Sequence, residues 1–229
     1  PCKDAQWDEP DEGMATRFAA SGMFVISNGR NMNEGAAGDI AVNGISGWVV
    51  NNPINNYDVT FYMGDYVHWH DTLIGEKGKL DLDFYVLRAN ETKARKHFAV
   101  VKQMIHCFEY WLGPYPFYED GYKLVESPHL GMEHQSAIAY GNKFTNGYLG
   151  TDLSGSGYGL NWDFIIVHES GHEWFANNIT TNDIADMWVH EGFTMYSEVL
   201  FINYHYGREG ADAYCRGVRN RIRNDRPII

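Results

Sequence analysis

His168, Glu169 and His172 stand together in the run HESGHEW at residues 168–174. On a helix, imidazoles four residues apart share one face, with Cβ atoms about 5–6 Å apart. Zinc accepts imidazole nitrogens at about 2.0–2.1 Å in a tetrahedral array, so rings on successive turns can converge on one ion. Glu169, one residue further round, can hold a water at such an ion without ligating it. A third donor is needed. Glu191, in MWVHEGFTMYSE, offers one: residues 173–190 intervene, room enough to connect two antiparallel helices. Trp188, Phe193 and Tyr196 surround it in the sequence, and an unpaired carboxylate in apolar company is costly. A cation relieves that cost. Three protein ligands leave a fourth position open to water, which distinguishes a catalytic zinc site from a structural one. A merely solvated polar helix leaves Glu169 and Glu191 without any such role.

The rest of the chain must position these groups. It has 229 residues, 44% apolar and 15% aromatic, with a net charge of −12. That composition builds a core and argues against nucleic acid or an anionic membrane surface as a partner. No apolar run is long enough for a membrane-spanning helix. Cys2, Cys107 and Cys215 are odd in number and widely spaced, so they read as plain thiols. Up to residue 88 the texture is strand and turn. In KLDLDFYVLR, Leu80, Leu82, Phe84 and Val86 fall on one face; Asp81, Asp83 and Tyr85 fall on the other. From Asn90 the period becomes helical through Leu112, with Phe98, Val101, Ile105 and Phe108 on one side and Gly113-Pro114 as the stop. Short strands are expected at 122–127 and 135–141, helices at about 161–178 and 186–206, and a further helix through the basic run 216–225. The Gly/Ser-rich segment 150–159 lacks the Lys-Ser/Thr of a phosphate loop and reads as a linker. His68 and His70 share a strand face with no evident third donor and read as ordinary strand residues.

HESGH followed at this distance by Glu in WVHEGF resembles the gluzincin aminopeptidases, the family of aminopeptidase N and leukotriene hydrolase. GMEHQ at 131–135 is similar to that family's G-x-M-E-N segment, and VISNG, Trp48 and YDVTFYMGDY resemble, more weakly, the end of its N-terminal β domain. The resemblance implies an α+β chain. Residues 1–88 would be the end of an antiparallel β-sandwich domain and 89–229 the front part of a thermolysin-like zinc peptidase domain. It implies one zinc ion held by His168, His172 and Glu191, and Glu169 as general base. By the same resemblance the substrate would be a peptide with a free N-terminus, whose ammonium group would meet Glu133. Gly131, Met132 and His134 would flank it, their backbone pairing with the substrate as an added strand. Glu198, seven residues past Glu191 on the same helix face, is expected to orient a ligand histidine. His190, where the family commonly has Asn, is expected near the ligands or at the rim.

There are departures. His134 replaces the family's Asn, and Leu130 stands where its first Gly is usual. The family's oxyanion-stabilising tyrosine lies some 60 residues past the third ligand, whereas this chain ends at Ile229, 38 residues past Glu191. Tyr196, Tyr204 and Tyr206 sit on the ligand helix and do not replace it. A glutamine assisting Glu133 would precede Pro1. The expectation is therefore an excised piece, low in activity by itself. Two other functions share the zinc site: hydrolysis of an epoxide or other non-peptide, and non-catalytic peptide binding by a zinc-containing protein. Oligomeric state is not legible.

Overall fold

The structure, a computed structural model, describes residues 16–19, 24–32 and 45–223. Cys2 and the end of the basic run lie outside them. The strands are β1 (Thr16–Ala19), β2 (Phe24–Ser27), β3 (Arg30–Asn31), β4 (Ile45–Val49), β5 (Phe61–Gly64), β6 (Tyr66–Gly75), β7 (Gly78–Leu87), β8 (Tyr122–Glu126), β9 (Gly131–Met132) and β10 (Ile138–Tyr140). The helices are α1 (Glu91–His97), α2 (Val100–Leu112), α3 (Phe164–Gly171) and α4 (Trp188–Arg219). The fold is α+β. No helix among the described residues is long and apolar enough to cross a membrane.

The central sheet has the order β6-β7-β8-β10-β9. Its β6–β7 hairpin is antiparallel, β7–β8 and β8–β10 are parallel, and β9 closes the edge antiparallel to β10. The alternation in β7 works on both faces. Leu80, Leu82, Phe84 and Val86 are buried against the helices, in one cluster with Val101, Met104, Ile105 and Phe108 of α2. Tyr85 faces the opposite way, into a second cluster with Ile26, Trp48, Tyr62 and Val125. The two smaller sheets, β1-β4-β3 and β2-β5, supply that second layer.

The change of texture at residue 88 is thus a change of element type, and the sheet runs straight through it. Leu82, Asp83, Phe84 and Tyr85 pair with Tyr122, Lys123, Leu124 and Val125, so β6 and β7 belong to the same sheet as β8–β10. The sequence pattern separates strand from helix but carries no record of which strands share hydrogen bonds.

Lys123 joins the layers. It is buried on the second face, donates to Gly29 O and to Asp120 O at 3.3 Å, and lies 5.6 Å from the Trp48 ring centroid. Burial pulls its pKa down to about 8 against the opposing charges of Asp83 and Asp120. The exposed rim of the same joint carries Arg30, which pairs with Asp81 at 3.0 Å.

The helices differ from the periodic expectation in two places. The segment from 91 to 112 breaks at Phe98–Ala99, where Phe98 turns inward among Trp69, Phe84 and Tyr140. α3 stops at Gly171, although Trp174 and Phe175 continue the apolar pattern; the chain then runs through i→i+5 bonds, Asn177 N to His172 O and Asn178 N to Glu173 O, with Ala176 at φ 147°. Within α4 the helix is interrupted at Gly207, whose φ of 77° and ψ of 176° are not helical, so one helix ends near 206 as expected and a second carries the start of the basic run.

Asp163 starts α3. Its Oδ1 caps Ile166 N at 3.1 Å and accepts from Asn142 Nδ2 at 2.9 Å; its Oδ2 accepts from Tyr140 Oη at 2.7 Å and His97 Nε2 at 2.6 Å. Removing a cap costs about 1 kcal/mol, and each buried polar group left unpaired costs about 1–3 kcal/mol. Asp163→Ala should therefore lower the unfolding free energy by about 2–4 kcal/mol, and Asp163→Asn by clearly less, in urea titrations. An Asp163→Ala loss under about 0.5 kcal/mol, the level of an ordinary surface substitution, contradicts this account of how α3 is anchored.

Candidate metal centre and active site

α3 and α4 bring the three expected donors together. His168 Nε2 lies 3.2 Å from His172 Nε2 and 3.5 Å from Glu191 Oε2, and His172 Nε2 lies 3.8 Å from the same oxygen. Donors at about 2.0–2.1 Å from a tetrahedral zinc are separated from each other by about 3.3–3.4 Å. The observed triangle has that size. His172 falls just past the last helical residue, so the ligand pair straddles the end of α3.

The outer nitrogens settle the tautomers. His168 Nδ1 donates to Glu198 Oε1 at 2.7 Å. Glu198 is fully buried, and its other oxygen accepts from Tyr214 Oη at 2.7 Å. His172 Nδ1 faces Phe175 O and Thr194 Oγ1, both at 3.0 Å. With Nδ1–H engaged, each Nε2 directs a lone pair inward, as a metal requires. Small residues let the helices approach: a Cβ on Gly171 would fall 2.6 Å from Ser197 Oγ.

Charge points the same way. Glu169, Glu173 and Glu198 are buried, Glu133 is half-buried, and Glu191 is half-exposed. Burial opposes a charge on His168, but hydrogen bonds to Glu191 and Glu198 overcome it and lift the pKa to about 10. Burial pushes Glu169 up to about 8, with the charges of Glu133, Glu191 and Glu198 adding to the rise and His168 opposing it. Burial and the neighbouring His168 push His172 down to about 3, while the hydrogen bond from His168 holds Glu191 below the usual carboxylate range. Buried and half-buried carboxylates converging on two imidazoles fit a divalent cation between them.

The GMEH segment forms the opposite wall. Gly131 and Met132 make β9, the edge of the central sheet beyond β10. A Cβ on Gly131 would sit 2.6 Å from Glu169 Oε1 and 2.8 Å from Ile165 Cγ2; the absent side chain leaves Glu169 its place beside the strand. One carboxylate oxygen of Glu133, one of Glu169 and a nitrogen of His172 lie within 4.8 Å of one another. Burial raises the Glu133 pKa. His134 lies edge-on to Tyr62, ring centroids 6.2 Å apart, and burial pulls its pKa to about 4, so the ring is neutral.

His190 sits elsewhere than the ligand cluster. It is buried, and its Nε2 accepts from Thr181 N at 3.1 Å, tying the α3–α4 connection to the first turn of α4. It holds the segment that delivers Glu191. His68 and His70 lie on the central sheet, both bonded to Asp83. Four supporting residues escaped the sequence reading: Asp163, Glu173, Thr194 and Tyr214. Asp163 was legible as a cap three residues before a helical amide. The partnership of Tyr214 with Glu198 crosses the Gly207 kink and leaves no periodic trace.

Comparison with known proteins agrees with this architecture. Residues 97–226 match the profile of the peptidase family M1 domain. Over 41 residues, 18% of this chain and 4% of the relative, the sequence is 51% identical to aminopeptidase Q of Acinonyx jubatus. The backbone superposes on an M1 zinc metallopeptidase from Deinococcus radiodurans with a TM-score of 0.70 at 18% identity, covering 96% of this chain and 47% of that one. It superposes on leukotriene A4 hydrolase from Saccharomyces cerevisiae with a TM-score of 0.63 at 19% identity, covering 88% and 29%. The chain thus spans about half the length of the Deinococcus protein and a small part of the curated relative. The family profile covers more than half of its residues, and the chain belongs to peptidase family M1.

Proposed function

We propose that this chain carries the metal-binding and amine-binding parts of a zinc aminopeptidase, which removes single residues from the N-terminus of peptides. The carrying observation is the side-by-side placement of two groups: the His168–His172–Glu191 triangle and the Glu133 carboxylate, within 4.8 Å of His172 and Glu169. A peptide's terminal nitrogen and its first carbonyl carbon are only about 2.5 Å apart, so one terminal residue can reach both groups at once.

Zinc bound by His168, His172 and Glu191 supplies a Lewis acid for a carbonyl and lowers the pKa of water. Glu133 accepts the substrate's α-ammonium; an internal peptide bond offers no cation there, so cleavage is confined to the first residue. The free edge of β9 accepts the substrate backbone as one more strand. Glu169, held against Gly131, takes a proton from the attacking water and passes it to the leaving amine. Glu198, braced by Tyr214, fixes the His168 ring, and Thr194 with Phe175 O fixes His172.

Three outcomes test the proposal on the full-length protein. Zinc should stabilise the native state, by about 4.1 kcal/mol at a free concentration of 1,000 times Kd. His168→Ala should abolish both bound zinc and that gain; a wild-type protein that retains no metal after dialysis argues against the site. Glu169→Gln should keep its zinc while kcat on aminoacyl anilides falls by about 10²–10⁴-fold; unchanged turnover removes Glu169 from proton transfer. Glu133→Ala should raise KM for free-amine substrates, and an equal loss toward inhibitors with no amino group contradicts the ammonium contact.

A further inference from the structure

Glu173 follows the second metal-binding histidine, is fully buried, and has no part in the chemistry outlined above. What it holds is the loop that carries Glu133. Its Oε1 accepts from Ser136 N at 2.8 Å. Ser136 has φ 56°, a left-handed conformation that a serine adopts only under constraint. Four residues on, Asn177 donates from Nδ2 to Glu133 O at 2.7 Å and faces Glu173 Oε2 at 3.5 Å. The chain reaches this arrangement by leaving α3: the i→i+5 bond from Asn177 N to His172 O, with Ala176 at φ 147°, brings the Asn177 side chain to the Glu133 carbonyl. The other side of the loop is held too. Ser136 Oγ accepts from Gly29 N at 2.9 Å, and Gln135 O accepts from Asn28 Nδ2 at 2.6 Å.

We infer that Glu173 and Asn177 are positioning residues that set the distance between the Glu133 carboxylate and the metal donors, and so determine how strongly a free α-amino group is preferred. The inference rests on the aminopeptidase reading of Glu133. Its geometry is direct: the bracing side chains belong to the peptide segment that begins at His172, so the metal ligand and the amine site share one rigid support. Losing either brace lets Ser136 relax from its left-handed conformation and moves Glu133 without touching a metal ligand. The short contact at 173 needs one acceptor oxygen facing Ser136 N, which glutamine keeps, giving up only the 3.5 Å contact to Asn177.

The test uses the zinc-loaded, full-length protein and two competitive inhibitors: leucine hydroxamate and the same hydroxamate without its amino group. Their Ki ratio reads amine recognition separately from metal binding. Glu173→Ala and Asn177→Ala should each reduce the ratio about tenfold, the scale of one lost hydrogen bond to a buried group, with zinc content unchanged. Glu173→Gln should restore it to within about twofold of wild type. If both inhibitors weaken equally in Glu173→Ala, the residue is merely structural and the inference is overturned. Should that variant fail to fold, the Asn177→Ala ratio decides in the same way. If Glu133→Ala lowers the ratio and neither bracing variant does, the inference fails while the aminopeptidase reading stands. A wild-type ratio near one removes both.

Discussion

The site is organised by a concentration of carboxylates, three of them buried. Glu133, Glu169, Glu173, Glu191 and Glu198 gather around two imidazoles at the junction of α3 and α4. Carboxylates removed from water are tolerable only when paired, protonated or facing a cation. The directions of the titration shifts reflect this crowding: His168 rises, Glu169 rises, and His172, buried and beside His168, falls. A divalent cation at the Nε2–Nε2–Oε2 triangle answers all three at once. Much of the surrounding structure keeps that triangle small: Gly171 lets α4 close on α3, Glu198 and Thr194 fix the rings, and Asp163 anchors the start of α3.

The opposite wall obeys a different physics. A metal ligand is aimed by its ring tautomer, whereas the Glu133 loop is aimed by its backbone. Gly131 gives up a side chain so that Glu169 can lie against the sheet edge, and Ser136 accepts a conformation that ordinary residues avoid. Such strain persists only where neighbours over-determine it. Those neighbours come from two directions, Glu173 and Asn177 behind the metal ligands and Asn28 and Gly29 from the smaller sheets.

Most of the donor geometry was legible in the sequence, because it depends on spacing along helices. The i, i+4 histidines, the distance to Glu191 and the helical step to Glu198 are one-dimensional facts with three-dimensional consequences. Other features lack that property. The end of α3 was hidden because Trp174 and Phe175 prolong the apolar period after the backbone has left the helix. Residue 88 looked like a border because alternation stops there, yet β7 pairs with β8 across it. His190 sits beside a ligand in the chain and bonds to Thr181 in space, since its ring points to the connection rather than to the triangle. Pairings between distant segments, such as Tyr214 with Glu198 or Ser136 with Glu173, have no local signature at all.

The sheet that crosses residue 88 also explains why the smaller sheets matter to the site. Lys123 on β8 donates to Gly29 O while facing Trp48, and the neighbouring Asn28 donates to Gln135 O. Glu133 therefore takes its position from a β layer whose residues precede it by about a hundred positions, through contacts that bypass both metal-binding helices. Burial lowers the Lys123 pKa only part of the way, to about 8, because Asp83 and Asp120 hold the charge in place. Lys123 donates to Gly29 O and Gly29 N donates to Ser136 Oγ, so the lysine, the turn and the Glu133 loop form one connected chain of hydrogen bonds. The Glu133 loop is thus held from two sides, by Asn28 and Gly29 of the β layer and by Glu173 and Asn177 beyond the end of α3.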